Sequence, residues 1–94
     1  MMPGAYAELV EKRLRDINKS KRPIHSHHDG YGKILEEVDE LWDEGKKKEK
    51  KRDPRLTVLE LMDISALCQK MAEDLNLMGS MTAEELWEFK KKLG

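Results

Sequence analysis

The sequence predicts an all-α fold: about four helices in an antiparallel bundle, probed by three observations and expected to be completed by oligomerisation. Apolar residues recur at the three- and four-residue spacing of a helix face in four separate stretches. Residues that start or stop helices bound those stretches, and no segment shows the apolar-polar alternation of a half-buried strand. The chain is 94 residues long, which suits one domain, residues 1–94, without internal repeats or a separating linker. A chain this short buries a low fraction of its surface by itself, so further apolar burial between subunits is expected.

The first helix is expected over Ala5 to Asn18, where Tyr6, Leu9, Val10, Leu14 and Ile17 form one stripe. Pro23 restricts Arg22 and ends it. Ile24 to Gly30 reads as a loop running into the next helix start, with Ser26 as N-cap and Asp29 three residues on. The second helix then carries Tyr31, Ile34, Leu35, Val38, Leu41 and Trp42 as far as about Glu44, and Gly45 is a natural stop. Lys46 to Arg52 is a basic tract read as a solvated connector. Asp53-Pro54 supplies an N-cap and a first-turn proline for a long third helix to about Leu77. Met78-Gly79-Ser80 breaks it. Thr82 and Glu85 form a capping box for a short last helix with Leu86, Phe89 and Leu93 on one face.

Charged residues make up 39% of the chain, against roughly 25% in ordinary domains. The 18 basic and 19 acidic side chains nearly cancel, so no global field points to nucleic acid or to a membrane surface. Nothing aromatic interleaves the Lys46–Arg52 tract as a single-strand platform requires. The single cysteine, Cys68, excludes an internal disulfide. With neither an apparent signal peptide nor a long apolar run, a soluble protein of the cytoplasm is expected.

Two acidic clusters stand out from this background: Glu36-Glu37-Val38-Asp39-Glu40 and Glu60-Leu61-Met62-Asp63. At about 100° per residue, with Glu36 at zero, Glu40 falls near 40°, Glu44 near 80° and Glu37 near 100°. Ile34, Val38 and Leu41 gather at about 140° to 200°, so this helix has two faces. On the third helix, Ile64, Leu67 and Met71 lie within about 40° of Glu60, with Asp63 some 60° to one side. Two carboxylates therefore sit in or beside a stripe that should be buried, where an uncompensated charge is costly. Lys70, on nearly the same side as Asp63, is one possible partner. A divalent cation held jointly with the Glu37 and Glu40 face is another, because hard cations take oxygen ligands.

Glu36-Glu37-x-x-Glu40 followed by Glu60-x-x-Asp63 resembles the signature of the all-α nucleoside triphosphate pyrophosphohydrolases, the MazG-like superfamily. The run from His25-Ser26-His27-His28-Asp29-Gly30-Tyr31-Gly32 into Leu41-Trp42-Asp43-Glu44 looks especially like its small members, phage and prophage proteins included. The resemblance covers about residues 24 to 77. It implies hydrolysis of a nucleotide between its α and β phosphates, giving a monophosphate and pyrophosphate. Glu37, Glu40, Glu60 and Asp63 would be the Mg²⁺ ligands, with Mn²⁺ as an alternative ion. Glu36 would be a further ligand or the group that orients water. The family also implies a homodimer or homotetramer. A non-enzymatic helical binding module of the same type is the alternative.

Lys33 lies among the carboxylates of its helix, where it could touch a substrate phosphate or pair with Glu37. Lys70 has the same two options. His25, His27 and His28 lack the companion ligands of a transition-metal site and read as loop and helix-start residues. Trp42 and Trp87 read as core or interface anchors, and Cys68 as a buried thiol. Glu44, one turn past Glu40 and outside the motif, is the internal control: Glu44→Gln is expected to be nearly neutral for hydrolysis.

Overall fold

A computed structural model describes residues 4–94 and, among them, four α-helices and no strand. They are α1 (Ala5–Ser20), α2 (His27–Gly45), α3 (Pro54–Asp74) and α4 (Ala83–Leu93), with a single 3₁₀ turn at Glu49–Lys51 between α2 and α3. The capping residues act as their chemistry dictates. Ser26 Oγ accepts from the Asp29 N–H at 3.0 Å, Asp53 Oδ1 from the Arg55 N–H at 2.9 Å, and Thr82 Oγ1 from the Glu85 N–H at 3.1 Å. Each satisfies a first-turn donor that the helix itself leaves open.

Helix α3 is the hub. Val10, Leu14 and Ile17 of α1 bury themselves against Ala66 and Leu67 of α3, with Tyr6 and Ile34 packed at the edges. Ala66 is wholly buried, its small side chain letting α1 approach closely. Arg13 meets Asp63, Asn18 meets Lys70 and Ile24 meets Asp74, so α1 and α3 run in the same sense. On the other flank α2 runs antiparallel to α3. Gly30 sits where a Cβ would fall 2.5 Å from Met71 Sδ, near the end of α3, while Glu44 reaches back to Asp53 at the start. The result is an up-down-up arrangement in which α1 and α2 each lay their backbones against α3 but not against each other.

Two expectations need correction and a third is narrowed. Helix α3 stops at Asp74 rather than Leu77. Asn76 adopts φ 51°, the Asn76 N–H bonds Glu73 O and the Leu77 N–H bonds Ala72 O, both at 3.0 Å. That left-handed closure fits asparagine and turns the chain before the apolar pattern ends. Cys68 is exposed, because the buried side of α3 carries Met62, Ala66, Leu67 and Lys70, and Cys68 points to the opposite side. Of the two places expected for Trp42 and Trp87, the core of the protomer is ruled out: they are 65% and 63% exposed, which leaves the subunit interface.

Helix α4 packs on none of the other described helices. The molecule measures 46 × 31 × 25 Å with a radius of gyration of 15.3 Å, against roughly 12 Å for a compact chain of this length. Along α2, Tyr31, Leu35, Val38 and Trp42 form a second apolar stripe that lies open to solvent.

Candidate metal centre

The antiparallel packing of α2 on α3 brings Glu37 opposite Glu60 and Asp63. One carboxylate oxygen from each of the three lies within 4.8 Å of the others, and all three side chains are half-buried. Among the described residues this is the one grouping of three or more potential ligands. Glu40 is more exposed and falls outside the trio, yet its charge bears on both Glu37 and Glu60. Glu36 is exposed and lines the adjoining cleft.

The local electrostatics are unfavourable. Burial, reinforced by Glu40, Asp63 and Glu60, pushes the Glu37 carboxyl up to about 7. Glu60 is raised for the same reasons, with burial first and the charge of Glu40 second. Glu37 Oε2 and Glu60 Oε2 are buried and have no hydrogen-bond partner. Two unpaired, hard oxygen acceptors facing a third carboxylate are a donor set that fits a divalent cation such as Mg²⁺ or Mn²⁺. A transition-metal set with imidazole is not assembled here. His27 and His28 are exposed, and the His25 imidazole lies 3.1 Å from Asp29, at the mouth of α2.

Asp63 is the one member of the trio with a counter-charge. Arg13 Nε donates to its Oδ1 at 2.7 Å, while Arg13 Nη1 donates to Asp16 at 2.8 Å. Sequence patterning passes over Arg13, which sits on α1 among ordinary polar residues and fifty positions from its partner. Beside the trio opens a cleft of about 160 Å³ lined by Arg13, Lys21, Lys33, Glu36 and Lys70, among others. Carboxylates and cationic side chains from three helices thus share one depression.

The two lysines singled out in the sequence take other partners. Lys33 pairs with Asp29, one turn back, rather than with Glu37. Lys70 is only 3% exposed, donates to Asn18 Oδ1 at 2.7 Å and lies 2.9 Å from Asp74 Oδ2, not beside Asp63. Asp74 in turn accepts from the Ile24 N–H at 2.7 Å, so Lys70 ties the α1–α2 connection to the end of α3. Glu44 lies apart from the trio and has a structural place of its own. It is 5% exposed, accepts from the Asp53 N–H at 3.0 Å and pairs with Lys47 at 2.6 Å, closing the connector between α2 and α3.

No family model, curated protein or solved structure matches the chain.

Proposed function

We propose that the chain is a divalent-cation-dependent pyrophosphohydrolase that cleaves a nucleoside triphosphate, or a related nucleotide, to its monophosphate and pyrophosphate. The observation that carries this reading is the convergence of Glu37, Glu60 and Asp63 with two buried carboxylate oxygens that no protein group satisfies. Glu37, Glu60 and Asp63, joined by Glu40 from the rim, would hold Mg²⁺ or Mn²⁺. A bound cation neutralises phosphate charge and makes a bound water more acidic.

The chain's own residues divide the remaining work. Glu36, exposed on the cleft, orients the attacking water and accepts its proton as pyrophosphate departs. Lys33, at the cleft wall, faces the phosphates once it leaves Asp29. Lys70 would be a positioning residue and not a substrate contact, because its buried ammonium already has two partners. A nucleotide substrate would suit a cytoplasmic protein; no described helix is long and apolar enough to cross a membrane. The open stripe of Tyr31, Leu35, Val38 and Trp42 supports pairing with a second copy, as dimer or tetramer.

The same open stripe, with the unattached α4, favours the second reading, a non-enzymatic helical interaction module. Pyrophosphate release from a panel of nucleotides with millimolar Mn²⁺ or Mg²⁺ separates the two. Release that disappears with chelator and with Glu60→Gln supports the enzyme. No release from any nucleotide, together with no thermal shift on adding either ion, supports the module.

A further inference from the structure

Asp63 belongs to the carboxylate trio but spends its charge elsewhere. Its Oδ1 accepts from Arg13 Nε, and the same guanidinium is steadied by Asp16 through Nη1. Glu37 and Glu60 have no equivalent partner for their buried oxygens. One cationic side chain therefore occupies one edge of the carboxylate cluster, and it does so from α1, a helix outside both acidic motifs. Arg13 also lines the cleft, together with Lys21, Lys33 and Lys70. Nη2 has no protein partner among the described residues, so part of the guanidinium fork remains available.

We propose that Arg13 is a phosphate-recognition residue: it competes with a divalent cation for Asp63 and turns to the substrate's phosphates as the cation takes that carboxylate. This rests on the metal-centre reading above. The physical argument is one of competition. A divalent ion and a guanidinium both seek Asp63, and the ion carries twice the charge in a smaller volume. As Asp63 turns to the ion, the attraction holding Arg13 weakens, while Asp16 keeps the side chain at the cleft. The planar fork of arginine matches two phosphate oxygens at once, which an ammonium does not. Arg13 thereby links the two binding events: it opposes the cation when no anion is present and favours the anion afterwards.

The test uses the full chain, with Mn²⁺ alone and inorganic pyrophosphate as probes, in calorimetric titrations of wild type, Arg13→Gln and Arg13→Lys. For Arg13→Gln, Mn²⁺ alone should bind about threefold tighter, since a competing ion pair has been removed. Pyrophosphate added to the Mn²⁺-loaded variant should bind about tenfold more weakly, the loss expected for a charge-assisted pair. Arg13→Lys should fall between wild type and Arg13→Gln for pyrophosphate. Opposite movement of the two affinities is a signature that a merely structural arginine would not produce. Mn²⁺ binding that weakens in Arg13→Gln, or pyrophosphate binding that stays at the wild-type value, overturns the assignment while leaving the metal centre standing. Wild type that binds no Mn²⁺ at millimolar concentration overturns both.

Discussion

Glu37 and Glu60 each keep one carboxylate oxygen buried without a hydrogen bond, whereas Asp63 has Arg13. Amide substitutions at these three positions should therefore differ in sign. Glu37→Gln or Glu60→Gln relieves repulsion and should raise the stability of the metal-free chain by about 1 kcal/mol. Asp63→Asn removes the partner of Arg13 and should leave stability unchanged or lower. Chemical denaturation in chelator measures this, and a stabilised Asp63→Asn would show that the Arg13 pair contributes nothing. All three substitutions should abolish Mn²⁺ binding. The raised Glu37 also sets a pH dependence. Between its unfolded value of about 4.5 and its folded value of about 7, the native chain holds the extra proton, so stability falls as pH rises. Allowing for solvent screening at a half-buried position, the loss is on the order of 1 kcal/mol, or about 5 °C in Tm. Glu60 adds in the same direction. Asp29, Asp53 and Asp74 are held below the usual carboxylate range by Lys33, Arg55, and by the Ile24 N–H with Lys70, respectively, so their stabilisation disappears in stronger acid. In chelator, Tm should peak near about pH 5 and decline toward neutrality. Millimolar Mn²⁺ at neutral pH should recover the loss, because it binds only the folded state.

At the scale of the helix, the capping residues were legible because their chemistry is local: Ser26, Asp53 and Thr82 act where the sequence places them. The facing of the two acidic motifs was legible too, since a short connector favours antiparallel neighbours. What periodicity could not decide is which part of a broad apolar arc becomes covered. Helix α2 turns Gly30, Glu37 and Glu44 toward α3 and leaves Leu35, Val38 and Trp42 open, although all belong to one apolar-flanked pattern. Of the two partners of Lys70, Asp74 lies one turn on, within helical spacing. Asn18 lies on α1, about fifty residues away, beyond the reach of any helical spacing rule. Lys70→Met should accordingly cost about 3 kcal/mol by leaving Asp74 without its buried counter-ion. Mn²⁺ affinity should change little, which distinguishes a positioning lysine from a site residue. Glu44→Ala should lower Tm by several degrees through the exposed end of α3, where the Asp53 N–H loses its acceptor. A Glu44→Ala protein that melts like wild type would show that this closure is incidental.

The whole molecule is more open than its helix content suggests. Its buried apolar residues all belong to α1, α3 and the turn at Ile24, while the large side chains of α4 and one face of α2 meet solvent. Association through the α2 stripe should make wild type sediment as a dimer or tetramer, and Val38→Glu, which places a charge mid-stripe, should shift it toward monomer at micromolar concentration. Wild type that stays monomeric at high concentration would remove the second copy as the occupant of that face.

The hub position of α3 has a consequence for the chain's biosynthesis. Helices α1 and α2 are made before α3, yet their backbones do not approach each other, and most of a helix's stability in a protein comes from tertiary packing of its apolar face. Neither meets the helix it packs on until α3 has been translated. At about 5–20 residues per second, the 54 residues from Ser20 to Asp74 take roughly 3–10 s. Over that interval the apolar face of α1 lacks its native partner on α3. The nascent chain thus offers Val10, Leu14 and Ile17 to the cell's chaperones before it can offer them to itself.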